Sequence, residues 1–547
     1  MVVNDESIKI RPLEYTPVET IQKKVAVARD AFYDSKTRSV EFRKLQLRKL
    51  YWAIHDNQDR MCEALARDMG RPSYETQLAE VVWLLGEILF TLKNLDKWLK
   101  DESAPDVPLI WKPLAPKIRK DPMGTVLVIG ACNYPFQLTL SPMIGAIAAG
   151  NTVVIKPSEQ PVHAAQVTQE IVESALDPSC YTVVQGAVTE MQALLAEKWD
   201  KIFFTGSQTV GRIVSKAAAP HMTPVVLELG GLNPAIVTRH ADPRIVARRL
   251  LWAKTINGGQ TCTAQNYILV EKSLLPALVD ELKKAYKSFY PSGSSKGPDF
   301  TRVVNEKAFQ RLKAMIDNSK GKIIMGGEVD EKERYIEQTF IEVDSIEDSM
   351  VINEAFGPIC AVMTVNSVEE AISLARKVQD TTLGVAVFGN SSDHQKVMAG
   401  LRSGSVSLND AQPHVNTLAF GGVGESGTGA YRGRSSIDVW THSRPYTNTP
   451  KWMESLLDIR YPPYTSSKLR MLQLSMGTTP DFDREGRQSR FTWLKYIIGG
   501  TPTSAATRVA AYAVNDQSTT TNGTNGTVNG TTNGTISGDT NGDSQAK

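Results

Sequence analysis

The sequence predicts an α/β protein with two successive units, each containing a mainly parallel sheet. Three features support this prediction: short apolar segments, helical segments between them, and a repeat of that alternation further along the chain. The first series of β-rich segments lies at 125–130, 151–156, 180–185 and 201–205, with helical patterns at 162–176 and 188–198. The second runs from Val225 to about Ser407 and includes 268–270, 341–343, 385–388 and 405–408. Strands that are apolar throughout are typical of parallel sheets covered on both faces.

The regions outside the two series have other patterns. Residues from about 35 to 99 carry apolar side chains at helical spacing and predict helix. The proline-rich stretch 104–122 then predicts a short segment of extended backbone that leaves the helical region. From about residue 516 the composition is rich in Thr, Asn and Gly, which cannot form a core and predicts disorder.

Composition excludes several classes of function. Lys and Arg number 61 and Asp and Glu 59, so the net charge of +2 gives no general attraction to nucleic acid. The chain has five cysteines, an odd number, and they are far apart in the sequence, which argues against a disulfide scaffold or a zinc site. We therefore expect reduced thiols, no bound metal and a cytoplasmic location.

The N-terminus has neither an apolar core nor a basic leader, so no secretory signal is expected. The Asn-Gly-Thr sequons of the tail are then by-products of a repeat; they begin at Asn522, Asn525, Asn529 and Asn533.

An apolar stretch at 491–498 is too short to span a bilayer, which takes about 20 residues, and it contains Lys495. Trp493 and Tyr496, with arginines just before them, fit an interfacial helix, so peripheral membrane contact through 487–500 is one interpretation. Packing on the protein or on a partner subunit is an equal alternative.

Cys262 is the candidate nucleophile. It ends the run Asn257-Gly-Gly-Gln-Thr-Cys262, where small neighbours can leave the sulfur accessible to a substrate. Glu228, in Glu228-Leu-Gly-Gly231, can supply the base that such chemistry needs. A free cysteine taken alone is more often a small core residue, and the other four are expected to be buried in that way.

Asn133 follows the segment 125–130, where a side-chain amide can donate to an oxyanion. A buried asparagine in a turn is the commoner case.

Two strand ends are candidate cofactor contacts. Lys156 and Glu159 lie at the end of one strand, where ligands bind in open α/β sheets, and both could bind ribose hydroxyls. The acid would repel a 2′-phosphate and so favours NAD over NADP; a solvated turn is the commoner explanation of this motif in isolation.

The loop with Gly206, Ser207 and Gly211 follows another strand and opens a helix, so its backbone can approach a diphosphate at the helix N-terminus. An ordinary strand-to-helix turn explains its spacing equally well. The later run Gly422-Val-Gly-Glu-Ser-Gly427 lacks the strand and helix that a dinucleotide fingerprint needs, and we interpret it as a glycine-rich turn.

Together and in this order, the motifs resemble those of the aldehyde dehydrogenase superfamily over roughly residues 25–465. The resemblance is carried by Asn133-Tyr-Pro-Phe136, Lys156-Pro-Ser-Glu159, the 206–211 loop, Glu228-Leu-Gly-Gly231, Gly259-Gln-Thr-Cys262 and Glu354-Ala-Phe-Gly-Pro358. Phe420-Gly-Gly-Val-Gly424 with Ser426-Gly427, and Arg460-Tyr-Pro-Pro-Tyr-Thr465, resemble the class 3 branch, which includes fatty-aldehyde dehydrogenases.

The resemblance implies a Rossmann-type NAD-binding domain at 1–104 and 122–228 and an α/β catalytic domain at 229–430. It also implies a small bridging β element for oligomerisation at 105–121 and 431–450, and a homodimer. A C-terminal extension at 451–515 and the tail at 516–547 complete the expected organisation.

The resemblance also implies roles by position. Cys262 attacks an aldehyde as thiolate, and its main-chain N–H and the Asn133 amide hold the oxyanion. Glu228 activates the water that hydrolyses the thioester, and help in deprotonating Cys262 is a second role that the resemblance leaves open. The cofactor is NAD, with NADP as the alternative, and its implied contacts are Lys156, Glu159, Gly206, Ser207, Gly211, Glu354 and Phe356.

Two segments depart from the family pattern. Asn353-Glu-Ala-Phe356 replaces the usual acid-acid-Ile-Phe, and Thr263-Ala-Gln-Asn-Tyr267 replaces a stretch that more often contains Ala-Pro-Asp-Tyr. These departures do not affect the implied catalytic chemistry, but they leave the details of substrate and cofactor binding open.

Resemblance to fungal class 3-like enzymes implies a long apolar aldehyde as substrate. An apo-carotenal on the way to the acidic carotenoid neurosporaxanthin is favoured by overall resemblance, with a long-chain fatty aldehyde as the alternative. Two other classes of function are a thiol hydrolase with no redox step and a catalytically silent membrane-associated protein.

Overall fold

The computed structural model describes residues 8–295, 297–412 and 415–476, with 480, 482 and 486–488, and excludes the side chains of 109 and 110. The chain divides into two compact units. Unit 1 comprises Met1–Ala104 and Lys117–Tyr446, and unit 2 comprises Pro105–Pro116 and Thr447–Lys547. The apolar stretch at 491–498 and the tail at 516–547 lie outside the described residues.

The strands of the described residues, in chain order, are β1 (Glu102–Ser103), β2 (Lys117–Pro122), β3 (Thr125–Ile129), β4 (Thr152–Lys156), β5 (Tyr181–Val183), β6 (Lys201–Gly206), β7 (Val225–Leu229), β8 (Pro234–Val237), β9 (Tyr267–Glu271), β10 (Lys322–Met325), β11 (Val329–Asp330), β12 (Tyr335–Ile336), β13 (Thr339–Glu342), β14 (Ile359–Val365), β15 (Thr381–Phe388), β16 (Arg402–Leu408), β17 (Gly427–Thr428) and β18 (Thr441–Tyr446).

The α-helices, in chain order, are α1 (Val18–Tyr33), α2 (Val40–Asp56), α3 (Gln58–Met69), α4 (Ser73–Thr76), α5 (Val82–Leu99), α6 (Gln137–Ala149), α7 (Val162–Ala175), α8 (Val188–Ala196), α9 (Gln208–Ala218), α10 (Pro243–Thr255), α11 (Leu275–Phe289), α12 (Glu306–Asn318), α13 (Ser349–Ile352), α14 (Val368–Val378), α15 (Ser391–Gly400), α16 (Ser435–Val439), α17 (Glu454–Leu457) and α18 (Ser466–Ser475). A π-helical turn, Gln77–Val81, leads into α5. Among the described residues, no helix is long and apolar enough to cross a membrane.

A six-stranded sheet carries the first series of predicted strands. Its order is β17-β7-β6-β3-β4-β5, with β3 to β7 parallel and β17 antiparallel to β7. Alternate side chains enter different hydrophobic clusters: Val126 and Val128 join one, whereas Leu127 and Ile129 join another. Both faces of the sheet are therefore covered, which explains why its strands are apolar throughout.

A seven-stranded sheet carries the second series, in the order β10-β13-β14-β9-β8-β15-β16. All its pairings are parallel except that of the edge strand β10 with β13. Leu269 lies in one hydrophobic cluster and Ile268 and Val270 in another, so this sheet is also covered on both faces. Smaller sheets are β1-β2-β18 and β11-β12. The predicted domain boundaries stay a prediction.

The predicted alternation of strands and helices is confirmed, with differences in the flanking regions. Helix α1 was not predicted, because two of its four buried residues are alanines, which give a weak apolar pattern. The predicted helix at 35–99 is divided, since Asn57 ends α2 and Gly70, in the left-handed region, ends α3. The stretch 104–122 contains a 3₁₀ helix, Leu109–Leu114, before its extended strand.

Two smaller expectations have different outcomes. Cys62, Cys180 and Cys360 are buried as predicted, whereas the prediction for Cys132 is wrong, since this residue is half-buried after the end of β3. The glycine-rich run at 422–427 does form a turn, the 3₁₀ helix Gly424–Ser426, which leads into β17.

Candidate active site

Parallel pairing places the predicted residues at one edge of the six-stranded sheet. Lys156 ends β4, Gly206 ends β6, and Glu228 is the fourth residue of β7. Asn133 follows the end of β3, the central neighbour of β4 and β6. Because parallel strands end at a common edge, this edge gathers four of the residues singled out in the sequence.

Cys262 lies on a segment with an unusual backbone. Asn257, Gly258 and Gly259 have φ values of 55°, 58° and 70°, in the left-handed region that favours glycine. A Cβ atom on Gly259 would lie 2.3 Å from the carbonyl oxygen of Gly357, so a larger residue would not fit here. This compact turn precedes Cys262, which remains half-buried.

Asn233 fixes the segment on the other side of Cys262. Its Nδ2 atom donates to the carbonyl of Cys262 at 2.6 Å and to that of Ala264 at 3.2 Å. Its Oδ1 atom accepts from the Gly384 amide at 2.9 Å. The buried Asn233 therefore holds Cys262 against the seven-stranded sheet, a role that sequence reasoning missed.

Glu228 is a buried carboxylate without a direct protein partner. The residue is only 3% exposed, and neither of its carboxylate oxygens has a hydrogen-bond partner. Burial raises the pKa of Glu228 well above its usual value, and the Arg432 cation opposes this. A carboxylate in this setting favours its protonated form and is a strong base once ionised.

Cys262 is electrostatically coupled to Glu228. Burial raises the pKa of Cys262 to about 12; the Glu228 and Glu354 carboxylates add to that rise, and Arg432 opposes it. Cys262 is therefore a protonated thiol at neutral pH, and an ionised Glu228 would raise its pKa further. The structure thus brings together the predicted nucleophile and the predicted base.

Asn133 is held by backbone contacts beside the Cys262 turn. Its Nδ2 atom donates to the carbonyl of Gln260 at 3.1 Å. Asn257 Nδ2 donates to the carbonyls of Asn133 and Gln260, at 2.9 and 3.0 Å. A primary amide nitrogen carries two protons, so one N–H of Asn133 is left to donate to a developing oxyanion.

A buried ion pair contacts Asn133 through its main-chain carbonyl. The fully buried Arg71 pairs with Glu80, with 2.5 Å between Nη1 and Oε1, and also donates to the Asn133 carbonyl and to Asn257 Oδ1. Glu80 Oε2 accepts from the amides of Phe136 and Gln137, each at 2.8 Å, at the start of α6. The network joins four chain segments, and sequence reasoning missed Arg71 and Glu80 because no local motif marks them.

Breaking this ion pair should strongly destabilise the protein. In Glu80→Gln, the Arg71 cation stays buried without its counter-charge, and we expect the free energy of unfolding to fall by about 3–5 kcal/mol. Chemical denaturation measures the change. The matched control is Glu63→Gln, which removes the exposed Glu63–Arg67 pair and should cost about 1 kcal/mol or less. Equal losses in both variants would contradict this account of the network.

The predicted cofactor residues at β4 and β6 have a geometry that fits a dinucleotide. Lys156 Nζ lies 2.9 Å from Glu159 Oε2 after the end of β4. The Ser207 hydroxyl accepts from the Val210 amide at 3.4 Å and so caps α9, which leaves its own proton free to donate. A Cβ atom on Gly211 would lie 2.8 Å from the Leu229 side chain, so glycine here permits close packing of helix and sheet. The start of α9 offers a helix N-terminus to a diphosphate.

Glu354 approaches the site from the second sheet. Its Oε1 atom accepts from the Gly231 amide at 3.2 Å, and burial raises its pKa to about 7. Arg311 donates to the carbonyls of Glu354 and Ala355, at 2.8 and 2.7 Å. Phe356 adopts a φ of 46°, a conformation uncommon for a bulky residue. The segment that carries Glu354 is thus fixed. Phe356 lies two residues after Glu354, and its sequence position alone links it to the site.

Asn266, in one of the segments that depart from the family pattern, also fixes this loop. Its Oδ1 atom accepts from the Ala355 amide at 2.7 Å, and its Nδ2 atom donates to the Asn353 carbonyl at 3.1 Å. The departure is therefore compatible with a well-anchored Glu354.

A cavity of about 270 Å³ opens where α10 ends, next to the turn that precedes Cys262. Its apolar lining consists of Tyr74, Leu78, Trp252, Ile256, Phe289 and Tyr290, and Glu75, Thr255 and Asp299 add polar groups. Glu75 Oε2 accepts from the amide of Asn257 at 2.9 Å, so the cavity wall is tied to the Cys262 turn. A long apolar group could pack on this wall.

Comparison with known proteins gives a consistent result. The model of the aldehyde dehydrogenase family matches residues 8–445. The chain is 44% identical over 496 residues to the beta-apo-4'-carotenal oxygenase of Neurospora crassa, covering 90% of this chain and 93% of that protein. It is 40% identical over 457 residues to human aldehyde dehydrogenase family 3 member B1, covering 82% and 96%.

Among solved structures, the substrate-bound state of Staphylococcus aureus AldH is 36% identical, with a TM-score of 0.81. The match covers 83% of this chain and 99% of that one. The predicted fold class and the predicted class 3-like resemblance are confirmed.

Proposed function

The chain belongs to the aldehyde dehydrogenase family, and we propose that it oxidises a long apolar aldehyde to its carboxylic acid through a thioester on Cys262. The family shows the general activity, an NAD(P)-dependent oxidation of aldehydes. The substrate and the roles of individual residues are the proposal. The buried Glu228 carboxylate, with no direct protein partner and coupled electrostatically to Cys262, is the observation that carries it.

The first step is attack of Cys262 on the aldehyde carbon. Cys262 first loses its proton to solvent; the thiolate then bonds to the aldehyde carbon, the C=O π bond breaks, and its oxygen takes up the negative charge of the thiohemiacetal. The free N–H of Asn133 and the main-chain N–H of Cys262 donate to this oxyanion. Arg71 and Asn257 fix the Asn133 carbonyl, so the amide meets the oxyanion with little reorganisation.

The proposed cofactor is NAD, held by Lys156, Glu159 and the residues at the start of α9. When bound, it accepts the hydride that the thiohemiacetal carbon loses, and the acyl group remains on Cys262. Glu354 and Phe356 are proposed as further contacts of the cofactor. Gly206 leaves no side chain at the end of β6, which suits close approach of a diphosphate, and Gly211 lets α9 pack closely on the sheet.

Glu228 acts in the second half of the reaction. Its carboxylate removes a proton from a water molecule that attacks the thioester, which releases the acid and restores Cys262. Its raised pKa suits this role, since a stronger base takes the proton more readily.

The substrate is proposed from the relatives and the cavity together. A relative from Neurospora crassa is named for beta-apo-4'-carotenal, a long apolar aldehyde. The aromatic and aliphatic wall next to the Cys262 turn suits such a chain. A long-chain fatty aldehyde fits the same wall and is the second candidate.

A substrate panel tests the proposal. The purified enzyme is assayed for NADH formation with beta-apo-4'-carotenal, hexadecanal and propanal at matched concentrations. We expect the highest kcat/KM for apo-carotenal, then hexadecanal, and a much lower value for propanal. A preference for propanal would refute the apolar substrate, and ester hydrolysis without any NADH would point to a thiol hydrolase.

Glu159 should determine the preference for NAD. In Glu159→Gln, the negative charge that opposes a 2′-phosphate is lost, so the ratio of kcat/KM for NAD to that for NADP should fall about tenfold, which corresponds to ~1.4 kcal/mol. Steady-state kinetics with both cofactors measures the ratio. The control is Glu173→Gln, at an exposed position of α7, which should leave the ratio unchanged. An unchanged ratio in Glu159→Gln would remove Glu159 from cofactor selection.

We also propose a homodimer with peripheral membrane contact through residues 487–500. Light scattering of the full chain measures its mass in solution, for which we expect twice 60.1 kDa.

Co-sedimentation with vesicles, compared with that of a chain that ends at residue 486, tests the membrane contact. A monomeric mass would contradict the first proposal, and equal sedimentation of the two chains would contradict the second.

A further inference from the structure

Arg432 is a buried cation beside the proposed catalytic pair. Strand β17 pairs with β7, so that Gly427 lies opposite Glu228. From there the chain runs along β7, since a Cβ atom on Gly429 would lie 3.0 Å from the Val226 side chain. Arg432 follows three residues later and is only 4% exposed.

Aromatic rings enclose the guanidinium. Its Cζ atom lies 4.4 Å from the ring centre of Phe420, 4.8 Å from that of Trp83 and 5.5 Å from that of Tyr431. The Arg432 backbone has a φ of 78°, and its amide donates to Ser436 Oγ at 2.8 Å. A non-glycine residue in this conformation persists only where the surroundings fix it. The side chain is therefore held in one place.

The charge of Arg432 lacks a counter-ion in the described part of the chain. Its guanidinium forms no ion pair with a carboxylate of the described residues, and its Nε atom is buried without a hydrogen-bond partner. Arginine stays protonated in proteins, and a buried unpaired charge is strongly unfavourable. A negative charge nearby would relieve this cost.

The groups that could carry such a charge converge on this place. Glu87 Oε2 accepts from Ser141 Oγ at 2.5 Å, whereas its Oε1 atom is buried without a partner, as are both oxygens of Glu228. Arg432 lowers the pKa of Cys262, Glu228 and Glu87 against the larger effect of burial. The titratable and charged groups facing the Cys262 and Arg432 side chains are Glu87, Tyr134, Glu228, Glu354 and Tyr431.

We propose that Arg432 is an electrostatic positioning residue for the oxidation: its buried charge offsets that of the Cys262 thiolate and the Glu228 carboxylate, so that these groups can ionise in a water-poor pocket. The aromatic rings fix the cation where its charge acts on both groups, without an ion pair that would neutralise it. The inference rests on the proposed roles of Cys262 and Glu228.

Alkylation of Cys262 tests the inference. The full-length enzyme reacts with iodoacetamide at several pH values, and mass spectrometry of the Cys262 peptide gives the rate. Because thiolate is the reactive form, we expect Arg432→Gln to slow alkylation at pH 8.5 by about tenfold or more, corresponding to one pKa unit. The pH profile of kcat/KM should move to higher pH by a similar amount.

Two further variants separate charge from folding. Arg432→Lys keeps the cation and should react at nearly the wild-type rate, whereas Arg432→His is largely neutral at pH 8.5 and should react about tenfold more slowly. This pair decides the question even where Arg432→Gln does not fold. The control Arg43→Gln removes another buried arginine, whose guanidinium donates to the carbonyls of Thr37 and Ala148, and should leave the alkylation rate unchanged.

Equal alkylation rates in wild type, Arg432→Gln and Arg432→His, with Cys262 labelled, would overturn the role of Arg432 alone. A wild-type Cys262 that is never labelled would contradict the proposed function as well.

Discussion

Replacing Cys262 by alanine should abolish aldehyde oxidation. Cys262→Ala removes the only atom that we propose to form the covalent intermediate, so kcat should fall by at least about 10⁴-fold. Binding of NAD should persist, because the proposed cofactor residues lie on β4, β6, α9 and the 354–356 segment. Steady-state NADH formation and calorimetric titration with NAD measure the two properties.

The matched control is Cys180→Ala. Cys180 is a buried cysteine directly before β5 and has no proposed role in the reaction. This variant should retain turnover, with at most a modest loss of stability. Turnover in Cys262→Ala within tenfold of wild type would show that the nucleophile is a different residue.

Glu228→Gln should stop the reaction half-way. Glutamine has nearly the same size as glutamate but cannot accept the proton of the attacking water, so hydrolysis of the thioester should slow by about 10²–10⁴-fold. The Cys262 proton can pass to solvent, so the thioester still forms without the Glu228 carboxylate, and one equivalent of NADH per active site should appear in a rapid first phase. Rapid-mixing absorbance measurements resolve that phase.

The control for Glu228 is Glu271→Gln. Glu271 is a buried carboxylate at the end of β9, 3.5 Å from Arg239, and lies in the other sheet. Its loss should reduce stability without producing a burst. A steady state in Glu228→Gln equal to that of wild type, without a burst, would assign the water-activating step elsewhere.

The strand ends and the Cys262 turn could be predicted because their signals are local. Apolar runs that end in Lys156 or Gly206 mark buried strands, and parallel pairing then brings those ends together. The run at 257–259 likewise predicts an accessible nucleophile, and all three of its residues adopt left-handed backbone.

The supporting contacts could not be predicted, because they join distant segments. Arg71 reaches Asn257 across 186 residues, and Asn266 reaches the 353–355 segment across almost 90. Nothing in the residues around Arg71 or Glu80 distinguishes this buried pair from a solvated one. The role of Arg432 could not be predicted for the same reason, because one of the aromatic rings around its guanidinium belongs to Trp83 on α5.

The central claim is that the acyl group of the substrate is carried on Cys262 and released with the help of Glu228. The most direct test is to mix Glu228→Gln with NAD and hexadecanal, quench in acid, digest and analyse the cysteine peptides by mass spectrometry. We expect the Cys262 peptide to gain the mass of a hexadecanoyl group, with no gain in wild type at the same time point. An acyl group on another cysteine, or NADH formation with no acylated peptide at all, would contradict the account.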